Sequence, residues 1–211
     1  MMRNFVYIDT ETGGLDHRVH GLTEIGAIAF ELDPFNGHTR LLDKYNVLIE
    51  PQLYLAYTPY ALEMQKRTLK DLEELGATEI DALRGLGEFI CRNVMSGWTG
   101  RIVAHNAEFD YKFLAALSDR HEAGMFQSDR HNKWICTQQM FRMLQGLGVV
   151  MENGAGLDDI INYYNIPANA NRRHTALVDA EYGVQVFGHM IADLNRFYQT
   201  NGGPKCTQLL H

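Results

Sequence analysis

The sequence predicts an α/β fold with a mixed central β-sheet flanked by α-helices. Three observations carry this. The first fifty residues hold short β-prone runs separated by turn residues. A region with apolar residues at three- and four-residue steps follows. Beyond residue 100, short strands alternate with helical stretches. At 211 residues and 45% apolar content the chain is long enough to bury a full core. One domain is expected over residues 1–200, with an irregular tail at 201–211.

Phe5-Val6-Tyr7-Ile8 reads as a buried strand that ends in an acidic, glycine-containing turn at residues 9–15. Residues 25–32 and 45–49 read as two more strands. The turn chemistry of Asp33-Pro34-Phe35-Asn36-Gly37 between them predicts an antiparallel hairpin. From residue 59 to 91, Leu69, Leu72, Leu75, Leu83, Leu86, Phe89 and Ile90 recur at helical spacing, which predicts two helices split near Gly76. Residues 101–104 are a further short strand, with a helix over 110–117 straight after it. Residues 118–133 are polar and His-rich and read as a solvated loop. A strand at 134–137 and helices over 138–147, 157–164 and 175–198 complete the chain.

Charge and cysteine usage narrow the function classes. A formal net charge of -7 argues against a broad basic surface gripping long duplex DNA, so any nucleic-acid contact should be local and short. Cys91, Cys136 and Cys206 are odd in number and widely spaced, which suits neither a disulfide framework nor a zinc cluster. A reducing, cytoplasmic location is expected. No stretch approaches the roughly 20 apolar residues of a membrane span.

Three segments carry candidate chemistry. Asp9 and Glu11 stand two apart at a strand end, so they share a face if the extended backbone persists through Thr10. Close carboxylates repel unless a cation or proton lies between them; a solvated acidic turn is the other reading. The second segment is His105-Asn106-Ala107-Glu108-Phe109-Asp110, where a strand delivers polar residues and then an Asp entering a helix. Asp110 there fits helix capping as well as catalysis, and His105 fits a structural role. The third is Arg172-Arg173-His174-Thr175-Ala176-Leu177-Val178-Asp179. A helix starting just after His174 would put Asp179 one turn in, with His174 on the loop before it. An Asp among Ala, Leu and Val is costly to bury without a partner, and a metal is such a partner. Oxygen-only ligation suits Mg²⁺ or Mn²⁺ rather than zinc. Two such ions stabilise the attacking water and leaving oxygen of a phosphodiester displacement. A His of ordinary pKa is suited to take the water's proton.

These segments resemble the motifs of the DEDDh exonucleases, the superfamily of the DNA polymerase III proofreading subunit and of ribonuclease T. The residues from Phe5 to Leu15 resemble the first motif and Leu22-Thr23-Glu24-Ile25-Gly26-Ala27 its following strand. Residues His105 to Asp110 resemble the second, and His174 with Asp179 the third. The resemblance covers roughly residues 5–190. It implies a ribonuclease H-like fold and a metal-dependent 3′-to-5′ exonuclease that releases nucleoside 5′-monophosphates. By the same resemblance Asp9, Glu11 and Asp179 hold one cation, Asp9 and Asp110 organise a second, and His174 is the general base. Thr10 and Thr12 receive the terminal nucleotide and Asn106 contacts the substrate backbone. Leu15 and Phe109 are candidates for contact with terminal bases, with a core role as the alternative. Two departures stand out: Cys136-Thr137 where relatives often carry Asp-Thr, and residues 59–68, which match the family's glycine-containing segment poorly.

The expected substrate is a single-stranded 3′ end. DNA is favoured over RNA because the stretch from His174 to Asp179 is nearest the proofreading group; an RNA-trimming exoribonuclease is the alternative. A catalytically idle binding module is the rival from another class, and its usual mark, a lost carboxylate or His, is absent. Arg172 and Arg173 suit either a phosphate clamp or plain solvation. The sequence names no protein partner and no oligomeric state, and the short tail favours a stand-alone enzyme.

Overall fold

A computed structural model describes residues 2–94, 101–126, 133–169 and 173–201. Five strands form one sheet in the order β3-β2-β1-β4-β5. They are β1 (Arg3–Thr12), β2 (Leu22–Leu32), β3 (Thr39–Leu48), β4 (Ile102–Ala104) and β5 (Ile135–Cys136). The first three pair antiparallel as a meander; β4 and β5 add parallel to β1 and β4, so the sheet is mixed as expected. Each of the first three strands runs further than its apolar run. Backbone pairing carries β1 through Asp9 and Glu11 to Thr12, because β2 supplies hydrogen-bonding partners along that whole length.

Among the described residues there are seven helices: α1 (Pro59–Met64), α2 (Leu69–Leu75), α3 (Glu79–Asn93), α4 (Ala107–Arg120), α5 (Thr137–Gly146), α6 (Leu157–Tyr163) and α7 (Ala176–Thr200). The region expected to hold two helices holds three. Thr58, Thr68 and Thr78 each cap one of them with a side-chain oxygen, and Thr68 with Asp71 completes a capping box. The expected break at Gly76 is the second of two. α4 begins three residues before the expected start and keeps Ser118 to Arg120 helical, shortening the expected loop. Residues 127–132 of that loop and 202–211 of the expected tail lie outside the described residues.

Strand alternation sorts the core into two sides. Val6 and Ile8 pack with Leu83, Leu86 and Phe89 of α3 and Leu114 of α4. Tyr7 faces the other way, among Val184 and Phe187 of α7. A third cluster joins Phe141 and Leu144 of α5 and Ile160 of α6 to Val186 and Met190 of α7. α7 lies almost on the sheet. A Cβ on Gly26 would come within 2.3 Å of the Ala176 carbonyl carbon and the Leu177 nitrogen, and one on Gly183 within 2.1 Å of the Tyr7 ring. Gly26 is the register partner of Asp9, so this contact sets the start of α7 beside the end of β1.

Cys91 and Cys136 are free thiols, and Cys206 lies outside the described residues. No helix among the described residues is long and apolar enough to cross a membrane.

Candidate active site

Asp9 and Glu11 follow Tyr7 in the period of two and therefore share its face, the one covered by α7. Asp179 sits in the first turn of that helix. One carboxylate oxygen from each of Asp9, Glu11 and Asp179 lies within 4.8 Å of the others. Loop closure over 170 residues is thus accomplished by the sheet register and the glycine contact at the head of α7.

Asp110 reaches the cluster differently. β4 is only three residues long and pairs with β1 only at Val6 and Tyr7. The Asp110 carboxylate takes the Thr10 amide at 2.9 Å and the Thr10 hydroxyl at 2.8 Å. The capping alternative for Asp110 fails: Asn106 occupies the cap position of α4, in the left-handed conformation at φ 55. Asp110 raises the carboxyl of Asp9 and lies outside the group of three.

The electrostatics are those of crowded, dry carboxyls. Burial first, then the charges of Asp110, Asp179 and Glu11, push Asp9 well above the ordinary carboxylate range, with Arg173 pulling it back. Glu11 is pushed up to about 8, by burial and then by Asp179, Glu24 and Asp110. Asp110 is pushed up to about 7 by burial, against the Thr10 hydrogen bonds that favour its charged form. Asp179 is raised by burial, against Arg173 and His174. Four acids that resist ionising together form a site for positive charge, and their hard oxygen donors suit a divalent cation of the magnesium or manganese kind.

His174 is half-buried and left-handed at φ 64, one residue before Thr175, the cap of α7. Its charge and its backbone both act on Asp179, which puts it at the rim of the cluster. Arg173 fits neither expectation made for it. It is 8% exposed, donates to Asp158 at 2.8 Å and to Asp179, and lies over the Tyr182 ring. Arg172 lies outside the described residues. Glu24, the register partner of Glu11, is a buried acid not singled out from the sequence. It is hydrogen-bonded to Asn46 and to the Ala176 backbone, tying β2 to the head of α7. His105 contacts the Thr137 hydroxyl at 3.1 Å, and burial pushes it down to about 4, so it is a neutral structural ring.

A cleft of about 570 Å³ opens beside Glu11, lined by Thr10, Thr12, Leu15 and Phe109 together with Tyr60 and Met64 of α1. Leu15 is 87% exposed at its mouth, so the core alternative for Leu15 fails; Phe109 is partly buried and packs against the core while bordering the cleft. Asn106 borders a neighbouring cleft instead. The polar lining is largely engaged. Thr10 donates to Asp110, Thr12 to the Gly14 carbonyl and Gln65 to the Thr12 carbonyl, while Thr58 accepts from Ala61.

A sequence profile of the exonuclease family named RNase_T matches residues 6–187. The chain belongs to this family. Ribonuclease T of Haemophilus influenzae strain PittEE is 28% identical over 214 residues, covering 97% of this chain and 85% of that protein. Ribonuclease T of Photorhabdus laumondii is 28% identical over 204 residues, covering 96% and 88%. Solved structures share the fold, among them the following two. E. coli exonuclease I in complex with a dT13 oligonucleotide superposes with a TM-score of 0.74 at 15% identity. The match covers 93% of this chain and 43% of that one, so this chain spans less than half of exonuclease I. The nuclease domain of 3′hExo, a DEDDh family member bound to rAMP, superposes at 0.69 with 13% identity, covering 90% and 92%. By that membership the chain is an exonuclease, an enzyme that removes nucleotides from the ends of nucleic acid.

Proposed function

We propose that this exonuclease degrades single-stranded DNA from the 3′ end, with Asp9, Glu11, Asp110 and Asp179 holding two Mg²⁺ or Mn²⁺ ions and His174 as general base. The observation that carries the reading is the convergence of Asp9, Glu11 and Asp179 within 4.8 Å, beside a cleft able to take one nucleotide. Cations held there supply Lewis acidity and neutralise charge on the phosphate during in-line displacement. The protein's own groups do the rest. The cleft takes the terminal nucleotide against the apolar side chains that line it, Leu15, Tyr60, Met64 and Phe109. Thr10 fixes Asp110 so that its carboxylate keeps one orientation. His174 accepts the proton of the attacking water, and the bond broken is that from phosphorus to the 3′ oxygen of the preceding nucleotide, releasing a nucleoside 5′-monophosphate.

DNA is favoured because Thr10, Thr12 and Gln65, which line the cleft, already donate within the protein and so do not offer those donors to a 2′-hydroxyl. The RNA reading draws on the name of the relatives, ribonuclease T, at 28% identity. The deciding experiment is a gel time course on matched single-stranded DNA and RNA labelled at the 5′ end, with Mg²⁺ or EDTA, for wild type and Asp9→Ala. A metal-dependent ladder shortening from the 3′ end, faster on DNA and absent in Asp9→Ala, is expected. A faster RNA ladder would transfer the assignment to RNA; no ladder on either polymer would sink the catalytic role of these carboxylates.

A further inference from the structure

The cleft beside Glu11 does not end at Leu15 and Phe109. Both residues also line a second cleft of about 500 Å³, which shares His17, Arg18 and Lys112 with a third of about 550 Å³. The three form one path leading away from the carboxylates, between the loop that joins β1 to β2 and the outer face of α4.

Its far end differs in charge from the rest of an acidic chain. The third cleft is bordered by Arg18, Lys112 and Arg120, with Asp119 as the acid facing them. Arg120 is held by Glu79, a buried acid that also takes His121, so it serves the fold. Arg18 and Lys112 are held at the surface instead. Arg18 holds Asp16 through two hydrogen bonds, at 2.9 and 2.7 Å, and Lys112 pairs with Glu108 at 2.6 Å, with all four side chains a third or more exposed. Solvent screens exposed pairs of this kind, so a phosphate can take the place of either acid. Tyr54, 65% exposed at the same end, offers a ring face on which a base can stack.

We infer that this path is the track of the substrate strand: phosphates 5′ of the scissile bond replace Asp16 and Glu108 on Arg18 and Lys112, and a base rests on Tyr54. The inference depends on the exonuclease reading of the carboxylate site and adds the extent of strand that the protein grips. Two cations and one ring give a local, short contact, in keeping with a net charge of -7.

The test is steady-state kinetics with Mn²⁺ on oligo(dT) and oligo(U) of two, four, eight and twelve nucleotides. Wild type is compared with Arg18→Ala, Lys112→Ala, the double variant, Tyr54→Ala, and Arg84→Ala as an exposed control paired on α3. KM of the wild type should fall with length on its preferred polymer. In the double variant KM for the twelve-mer should rise about tenfold or more, kcat and the dinucleotide should stay unchanged, and the salt dependence should lose about 0.7 in log-log slope per cation removed. Tyr54→Ala should cost about fivefold or more on the twelve-mer alone. Equal losses on dinucleotide and twelve-mer, or a double variant no worse than Arg84→Ala, would overturn the track while leaving the exonuclease intact. Wild type inactive at every length would overturn the carboxylate reading, and the track with it.

Discussion

Binding of a divalent cation to the carboxylate cluster should expel protons, and the structure sets how many. Glu11 is held at about 8 and Asp110 at about 7, with Asp9 and Asp179 also raised. At pH 6 the metal-free cluster is therefore largely protonated. Deprotonating groups of those two pKa values at pH 6 costs about 2.7 and 1.4 kcal/mol, or roughly a thousandfold in apparent affinity relative to pH above 8. Titration calorimetry with Mn²⁺ at pH 6, 7 and 8, in two buffers of different ionisation enthalpy, reads this directly. Glu11 and Asp110 should together contribute one to two of the protons released between pH 6 and 7, and their share should fall as pH rises past 8. The stability of the fold follows the same sign. A carboxyl raised in the folded state makes the native protein bind more protons than the unfolded chain between about pH 4 and 8. Metal-free stability is greatest below that window and is lost as pH rises through the folded values. Metal cancels the loss, so the rise in Tm on adding Mn²⁺ should grow from pH 5 to pH 8. An affinity independent of pH, with equal heats in both buffers, would refute the crowding of these carboxyls.

Three other perturbations have defined outcomes. His174→Ala should lower kcat about a hundredfold or more with little change in KM, as loss of a general base does, read by single-turnover hydrolysis of oligo(dT). Wild-type turnover in that variant would remove His174 from the mechanism. Gly26→Ala places a methyl 2.3 Å from the Ala176 backbone and should cost about 1–3 kcal/mol in urea denaturation, with a fall in kcat as Asp179 moves away from Asp9. Full activity together with full stability would contradict the direct seating of α7 on β2. Lys66→Gly relieves a left-handed residue at φ 54 and should stabilise the fold by up to about 1 kcal/mol, read as a higher urea midpoint. A lower midpoint would mean that the contacts of the Lys66 side chain outweigh its backbone strain.

Lys66 lies in a segment singled out from the sequence. Residues 59–68 depart from the glycine-containing pattern of relatives, yet the backbone there takes the conformation glycine favours. The segment keeps its geometry through Gln65, whose buried amide accepts from Thr23 at 2.7 Å and donates to the Thr12 carbonyl at 2.8 Å. Glycine spelling and glycine geometry are separable when a hydrogen-bond network over-determines the backbone. The three helix starts in this half of the chain were legible in principle: Thr58, Thr68 and Thr78 recur at intervals of ten, two of them followed three residues later by Asp. Apolar periodicity alone could not divide the region, because Leu69 and Leu75 are exposed and only Leu72 of that helix is buried.

The site was legible where chemistry depends on local spacing, and hidden where it depends on register. A period of two suffices to put Asp9 and Glu11 on one face, and the structure adds which face by packing Tyr7 against α7. Nothing local says that Gly26 will lie opposite Asp9, or that Ala176 will rest on Gly26, yet these two contacts are what carry Asp179 to the cluster. Arg173 shows the same limit from the other side. Beside His174 in sequence it suits a phosphate, but its partner Asp158 comes from α6, fifteen residues away, and Asp179 from one turn into α7. A guanidinium between those acids offsets their repulsion, lowers the carboxyls of Asp9, Glu11 and Asp179, and keeps the cluster from being wholly protonated. Its charge also opposes that of an incoming cation. The same arginine that keeps the carboxyls ionisable must therefore limit how tightly they hold a metal, a balance that residue type and spacing alone do not encode.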